Sequence, residues 1–110
     1  MWADYIKETF GKEMLQNEYG FATFYIVPET TVCYLEDIYV APEFRRAEFG
    51  SELEDAVIKW AKERYCTEIM GSVNLNIATP ERSMNVLLSR GYKLTSATPT
   101  MLYFRKQLDY

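Results

Sequence analysis

The stretch from Leu35 to Leu53, LEDIYVAPEFRRAEFGSEL, decides the fold of this 110-residue chain. It begins as an apolar strand, passes through a short basic turn and continues as a helix that opens at Gly50 and Ser51. Because a helix N-terminus offers unpaired N–H donors and a partial positive charge, this junction can hold a phosphate group. Glu48 opposes such binding, since it places a carboxylate where an anion-binding loop favours glycine.

The composition is that of an ordinary soluble protein, with 48% hydrophobic and 25% charged residues. The length suits one domain over residues 1–110. A net charge of −4 argues against non-specific binding to nucleic acid or to an acidic membrane. No apolar run approaches the roughly 18 residues of a membrane span, and no signal-peptide pattern opens the chain. We therefore expect a cytoplasmic protein with no nucleic-acid and no membrane partner.

The absence of histidine limits the chemistry that the chain can perform. It excludes Ser-His-Asp and Cys-His catalysis and removes the commonest zinc ligand, and we expect no metal site. Cys33 and Cys66 lie in apolar, strand-like contexts and are expected to be buried, reduced thiols. Acid–base chemistry therefore falls to Glu, Asp, Tyr, Cys, Lys or water.

Hydrophobic periodicity and turn residues divide the chain into helices and strands. The predicted elements are a helix over residues 3–10, strands over 13–17, 21–27 and 32–40, a helix over 51–64, a strand over 69–75, a helix between Thr79 and Gly91, and strands over 92–96 and 100–107. A strand–helix–strand crossover predicts one parallel pair. We therefore expect an α/β (α+β) fold with a mixed, mostly antiparallel sheet flanked by helices.

The two longer helices are expected to pack on the sheet through apolar faces. The face predicted for the helix over 51–64 consists of Leu53, Ala56, Val57, Trp60 and Ala61, and that for the next helix of Met84, Leu87 and Leu88. Thr79 is a suitable N-cap, with proline at the first helical position. Gly71, inside a strand, indicates a bulge or a close backbone approach.

Taken together, these spacings resemble the GNAT superfamily of N-acetyltransferases. The family's core runs strand, Val-x-Pro-x-x-Arg/Gln-x-x-Gly-x-Gly/Ala, helix, strand, helix, then Gly-Phe or Gly-Tyr. The matching residues are Val40, Pro42, Arg45, Gly50 and the pair Gly91-Tyr92. The resemblance spans roughly residues 20–108, and several spacings agree at once.

The resemblance implies acetyl-CoA as the acyl donor. The end of the central strand would pair through its backbone with the pantetheine arm, and the following loop and helix N-terminus would hold the pyrophosphate. Two arginines in that loop could add charge-assisted hydrogen bonds to phosphate oxygens. The implied cofactor-binding residues are Ile38, Tyr39, Val40, Arg45, Arg46, Gly50 and Ser51.

Two residues depart from the family's pattern. Glu48 replaces the first glycine of the loop, where repulsion of a phosphate at about 4 Å and a dielectric near 20 costs on the order of 4 kcal/mol. Leu87 stands where many members carry a tyrosine that protonates the departing thiolate, and it is expected to be a core residue.

Glu36 is the candidate general base. Strand alternation predicts that its side chain shares one face of the sheet with Ile38 and Val40, while Asp37 points to the other face. A carboxylate there could deprotonate an amine directly or through water. The alternative is that Glu36 serves as a structural hydrogen-bond partner.

Two functions remain open for such a chain. The first is acetyl transfer from acetyl-CoA to an unidentified amine, on a small molecule or a protein, with reduced efficiency. The second is a GNAT-fold binding or structural module that has lost acetyl transfer, for example a small viral or accessory protein. The short segment before the first hairpin leaves the acceptor side open or completed by another copy or a partner. Homo- or hetero-oligomerisation is therefore also expected.

Overall fold

A computed structural model of the protein describes residues 11–41, 43 and 49–110. Its elements are β1 (Glu13–Gln16), β2 (Gly20–Ile26), β3 (Val32–Val40), α1 (Phe49–Glu63), β4 (Glu68–Asn74), α2 (Pro80–Ser89), β5 (Lys93–Ala97) and β6 (Met101–Gln107). These confirm the predicted mixed fold. The helix predicted over residues 3–10 lies outside the described residues. So do Arg45, Arg46 and Glu48.

The six described strands form one sheet in the order β1-β2-β3-β4-β6-β5. The pair β3–β4 is parallel, and the other four pairs are antiparallel. α1 makes the crossover between the parallel strands, as the sequence predicted. The β2–β3 hairpin is also confirmed, with the strand bounds of β3 as predicted.

The sheet splits between β3 and β4. Their parallel ladder covers only Val32–Tyr34 of β3, paired with Glu68–Met70 of β4. Beyond this ladder β3 stays paired with β2 as far as Val40, and β4 stays paired with β6 as far as Asn74. The two halves of the sheet therefore diverge from this point. We call β1–β3 the first wing and β4–β6 the second wing.

A buried core fills the space between the sheet and the helices. Phe24, Ile69 and Phe104 contribute to it from the sheet, and Leu53, Val57 and Ala61 from α1. Burying large apolar side chains such as these stabilises the fold by about 1.5–3 kcal/mol each. Met84, Leu87 and Trp60 pack against the core as half-buried residues, in agreement with the predicted helix faces.

Two residues of the predicted helix faces lie elsewhere. Ala56 is exposed. Successive residues of a helix are rotated by about 100° about its axis, which places Glu54 and Ala56 on opposite sides of Leu53 and Val57. The buried face of α1 extends toward Glu54, so Ala56 is left at the surface. Leu88 is 50% exposed, since α2 turns Met84 and Leu87 toward the sheet instead. No described helix is both long and apolar enough to cross a membrane.

Both cysteines are free thiols inside the core, as predicted. Cys33 is 0% exposed and Cys66 is 1% exposed. Burial raises the pKa of Cys33 to about 12 and also raises the pKa of Cys66. Because the thiolate is the reactive form, neither side chain is suited to nucleophilic catalysis near neutral pH.

We expect both thiols to resist alkylation in the native protein. At pH 7.5, iodoacetamide should modify Cys33 and Cys66 more slowly in the native protein than in guanidinium. In guanidinium the chain is unfolded, so both thiols are solvent-exposed and recover an ordinary pKa. Mass spectrometry of timed samples measures the two rates. Native labelling of Cys33 as fast as in the unfolded chain would contradict its position in the core.

Candidate functional site

The split between the two wings opens into a cleft of about 700 Å³ that is lined by residues from both faces of the sheet and from both helices. This volume lies within the range of sites for small molecules and cofactors. One wall is β3 from Leu35 to Val40, and the other is formed by Gly71 and Ser72 of β4. The remaining lining residues belong to the two helices and to the segments on either side of α2: Ser51, Glu54, Thr79, Arg82, Ser83, Val86, Leu87, Arg90 and Tyr92.

The N-terminal turns of both helices border this cleft. Ser51 lies in the first turn of α1, which begins at Phe49. Arg82 and Ser83 lie in the first turn of α2. Of the two arginines that line the cleft, Arg90 is paired with Glu54 and Asp55. The guanidinium of Arg82 and the positive ends of the two helix dipoles meet at the same cleft, which favours an anionic ligand there.

The contribution of α2 to the cleft is absent from the sequence prediction. Thr79 and Pro80 mark the helix start correctly, although the Thr79 side chain makes no capping hydrogen bond. The sequence prediction did not apply the topological rule that places both helix N-termini at the same edge of the sheet. Because β3 and β4 are parallel, their carboxyl ends lie at one edge, and the helices that follow them both begin there. That rule could have identified Arg82 and Ser83.

A β-bulge at Glu36 stands where the two wings separate. Leu35 pairs with Phe24 and Asp37 with Thr23, so Glu36 is the extra residue of β3. Opposite residues share a face, and Ile38 pairs with Ala22, which is buried. Ile38 therefore points toward the helices and packs on the core.

The predicted sharing of one face by Glu36, Ile38 and Val40 is wrong, because the bulge shifts the alternation by one residue. Glu13 pairs with Phe24 and therefore shares the core face of the sheet. Because neighbouring strand residues alternate between faces, Lys12 belongs to the opposite face. Its Nζ donates a hydrogen bond to Glu36 Oε1 at 2.5 Å. The carboxylate of Glu36 therefore faces away from the helices. It is partly exposed, with 34% of its side-chain surface accessible.

Glu54 forms a buried charged cluster at the base of the cleft. Its carboxylate accepts hydrogen bonds from Arg90 Nε at 2.5 Å, the Tyr92 hydroxyl at 2.7 Å and Lys106 Nζ at 3.1 Å. Burial alone would raise the pKa of Glu54, but these three hydrogen bonds outweigh it and hold the pKa below its ordinary value. Burial and the bond to Glu54 raise the pKa of Tyr92. The Glu54 carboxylate is therefore ionised at neutral pH.

The family follows from a comparison with known proteins. The sequence profile of the acetyltransferase (GNAT) family matches residues 16–83, which is more than half of the chain. The chain belongs to the GNAT family. A search of curated proteins gave no match.

Solved GNAT structures share this fold. A GNAT-family protein from Desulfovibrio desulfuricans superposes with a TM-score of 0.81 at 14% identity, covering 96% of this chain and 76% of that one. A GNAT acetyltransferase from Elizabethkingia anophelis, solved with acetyl-CoA bound, gives 0.74 at 18% identity over 96% and 82% of the two chains. The PaiA N-acetyltransferase from Thermoplasma acidophilum, in complex with coenzyme A, gives 0.69 at 18% over 81% and 53%.

The GNAT site residues expected from the sequence fall into three groups. The residues that line the cleft are Glu36, Ile38, Tyr39, Val40 and Ser51. The backbone of Gly50 belongs to the first turn of α1. The two arginines of the loop lie outside the described residues.

Leu87 is a packing residue in this GNAT chain. Its Cδ2 lies 3.1 Å from the position that a Cβ on Gly71 would occupy, so the glycine makes room for the leucine. The predicted close approach at Gly71 is thus to a side chain, and β4 pairs with β6 there without a bulge. The second helix consequently offers a hydrocarbon at this position and no proton donor.

Proposed function

We propose that the protein is an N-acetyltransferase that binds acetyl-CoA in the cleft and transfers the acetyl group to a primary amine. The observation that carries this proposal is the divergence of β3 and β4 beside the N-termini of two helices. Two GNAT neighbours with the same fold were solved with acetyl-CoA or coenzyme A bound. The proposal extends that ligand to the cleft of this chain.

The groups at the N-termini of the two helices suit the phosphates of such a ligand. The pyrophosphate would lie at the first turn of α1, within reach of the Gly50 backbone and Ser51. Arg82, at the start of α2, would supply a charge-assisted hydrogen bond worth about 1.5–3 kcal/mol. The pantetheine arm would follow the edge of β3 at Ile38–Val40, as an added strand follows a sheet edge.

Catalysis would rest on positioning, assisted by Glu36. Acetyl-CoA supplies an acyl group activated as a thioester. Glu36 takes the proton that the amine loses when its nitrogen bonds to the carbonyl carbon and the C–S bond breaks. Water protonates the departing thiolate, because Leu87 cannot. Holding the amine and the thioester together is the larger contribution to the rate.

The ion pair between Lys12 and Glu36 supports a primary amine as the acceptor. An ammonium group already lies 2.5 Å from the carboxylate, on the face of the sheet opposite the helices. An acceptor amine that displaced Lys12 would meet Glu36 in the same geometry. It would reach the acetyl group through the gap between the wings, and the acceptor side would be this opposite face.

We expect Glu36→Gln to lower kcat by roughly 10²-fold or more, the usual contribution of a positioned general base. The affinity for acetyl-CoA should stay within twofold, since the Glu36 carboxylate faces away from the helix side of the cleft. The assay is release of free CoA thiol at pH 7.5 with a panel of primary amines. Glu63→Gln makes the same change at an exposed acid in the last turn of α1, and this matched control should retain the kcat of the parent.

The two parts of the proposal can fail separately. Equal kcat for the parent and Glu36→Gln would exclude Glu36 as the base and leave acetyl transfer intact. No thiol release above the rate without protein, with any amine of the panel, would refute acetyl transfer itself.

A further inference from the structure

We propose that Glu54 is a positioning residue that fixes the width of the cleft by tying the first wing of the sheet to the second. The consequence for ligand affinity rests on the proposed function, whereas the tie between the wings does not. No motif in the sequence marks this residue. Its role follows from where its hydrogen-bond donors lie in the fold.

Glu54 and its donors stand on opposite sides of the split. Glu54 belongs to α1, which packs on β2 and β3 of the first wing. Arg90 follows α2, Tyr92 leads into β5, and Lys106 lies in β6, so all three donors belong to the second wing. The three hydrogen bonds that this carboxylate makes in the described structure therefore cross from one wing to the other.

The burial of Glu54 makes these bonds hard to replace. Only 6% of its side-chain surface is accessible. An unpaired carboxylate in such a place is strongly destabilising, whereas a fully hydrogen-bonded one is tolerated. If the wings moved apart, the carboxylate would lose its partners before water could replace them. The cluster therefore opposes opening of the cleft.

The second wing holds the donors rigidly. Lys106 Nζ also donates to the Arg90 carbonyl at 3.1 Å and lies 4.7 Å from the centre of the Tyr92 ring. Each donor is thus fixed by another donor of the same wing. The carboxylate of Glu54 meets a preformed site, and its position sets the distance of α1 from β5 and β6.

A second link joins the wings on the opposite face. The hydroxyls of Tyr34 and Ser72 are 2.6 Å apart, at the point where the β3–β4 ladder ends. This link holds the closed end of the split. Glu54 lies one turn into α1, nearer to Ser51, and lines the cleft itself. Loss of Glu54 should therefore widen the helix side while the closed end stays paired.

Asp55 provides a matched control for Glu54. It is adjacent in α1, and it accepts a hydrogen bond from the same Arg90, at 2.9 Å from Nη2. Its side chain is 68% accessible, so its ion pair is screened by water and contributes little. Asp55→Asn and Glu54→Gln thus make the same chemical change on the same helix, one at the surface and one in the core.

The first experiment measures the separation of the wings directly. Spin labels attached at Lys59→Cys on α1 and Asn85→Cys on α2, both exposed positions, report the distance across the cleft by pulsed electron paramagnetic resonance. We expect Glu54→Gln to lengthen or broaden this distance distribution, and Asp55→Asn to leave it unchanged. Identical distributions for the parent and Glu54→Gln would overturn the inference, whether or not the protein binds acetyl-CoA.

The second experiment measures acetyl-CoA affinity. We expect Glu54→Gln to weaken it about tenfold or more, because in a wider cleft the N-termini of both helices could no longer contact the same ligand. Leu53→Ala, a neighbouring core truncation, controls for stability loss as such. An equal loss of affinity in Leu53→Ala would refute a positioning role. If Glu54→Gln does not fold, Tyr92→Phe, which removes one donor, takes its place in both experiments, with a smaller shift expected and the same refuting results.

Discussion

Gly20→Ala will destabilise the protein by about 3 kcal/mol, at the upper end of the usual cost of overpacking. Gly20 is the first residue of β2 and pairs with Val40. A Cβ at this position would lie 1.8 Å from the Tyr39 carbonyl oxygen and 2.9 Å from the Val40 Cα. These are backbone atoms, so no side-chain rotation can relieve the contact. The hairpin must move instead, and the outer end of β3 moves with it.

Thermal and guanidinium unfolding measure this loss, which should lower Tm by more than about 10 °C in a protein of this size. Gly71→Ala is the matched control, because the atom nearest to its Cβ is a methyl of Leu87 that can shift. We expect that control to lose about 1 kcal/mol or less. A Gly20→Ala protein with the Tm of the parent would contradict the close approach of β2 to Tyr39 and Val40.

Ser51→Asp should separate binding from folding. An acidic residue in the first turn of a helix stabilises it by about 0.3–1 kcal/mol, so the variant should be at least as stable as the parent. The same carboxylate would repel a pyrophosphate at the N-terminus of α1. At about 4 Å and an effective dielectric near 20, that repulsion is on the order of 4 kcal/mol. Affinity for acetyl-CoA should therefore fall by roughly two to three orders of magnitude.

Calorimetric titration of the parent, Ser51→Asp and the uncharged control Ser51→Ala tests this expectation. The alanine variant should stay within a few-fold of the parent, because the backbone N–H groups of the helix remain. Raising the salt concentration should narrow the gap between parent and Ser51→Asp, since salt screens the repulsion. A stable Ser51→Asp protein with unchanged affinity would mean that the phosphates bind elsewhere.

The sequence was sufficient for the architecture because the necessary signals are local. The turn residues that follow the aromatic and β-branched run of β2 predicted a returning strand over 32–40, and the structure has the same bounds. The apolar periodicity after Ser51 predicted α1, and a helix between two strands predicted their parallel pairing. The glycine and serine before that periodicity also placed the helix N-terminus that borders the cleft.

The features that sequence reasoning missed depend on partners that are distant along the chain. The bulge at Glu36 exists only in register with Phe24 and Thr23 of β2, so strand alternation alone put that side chain on the wrong face. The burial of Glu54 depends on donors 36 to 52 residues away. Helical periodicity alone does not assign a carboxylate to the core. Because the buried face of α1 includes Glu54, Ala56 lies at the surface and not on the predicted apolar face.

The most direct test of the proposed site is a titration of the ¹⁵N-labelled protein with acetyl-CoA, followed by amide chemical shifts. We predict saturable shifts concentrated at Ile38–Val40, at Gly50 and Ser51, and at Arg82 and Ser83, the residues around the split between β3 and β4. The absence of saturable shifts at millimolar ligand would contradict binding in the cleft. So would shifts confined to the separate groove lined by Lys93, Thr95 and Arg105 on β5 and β6.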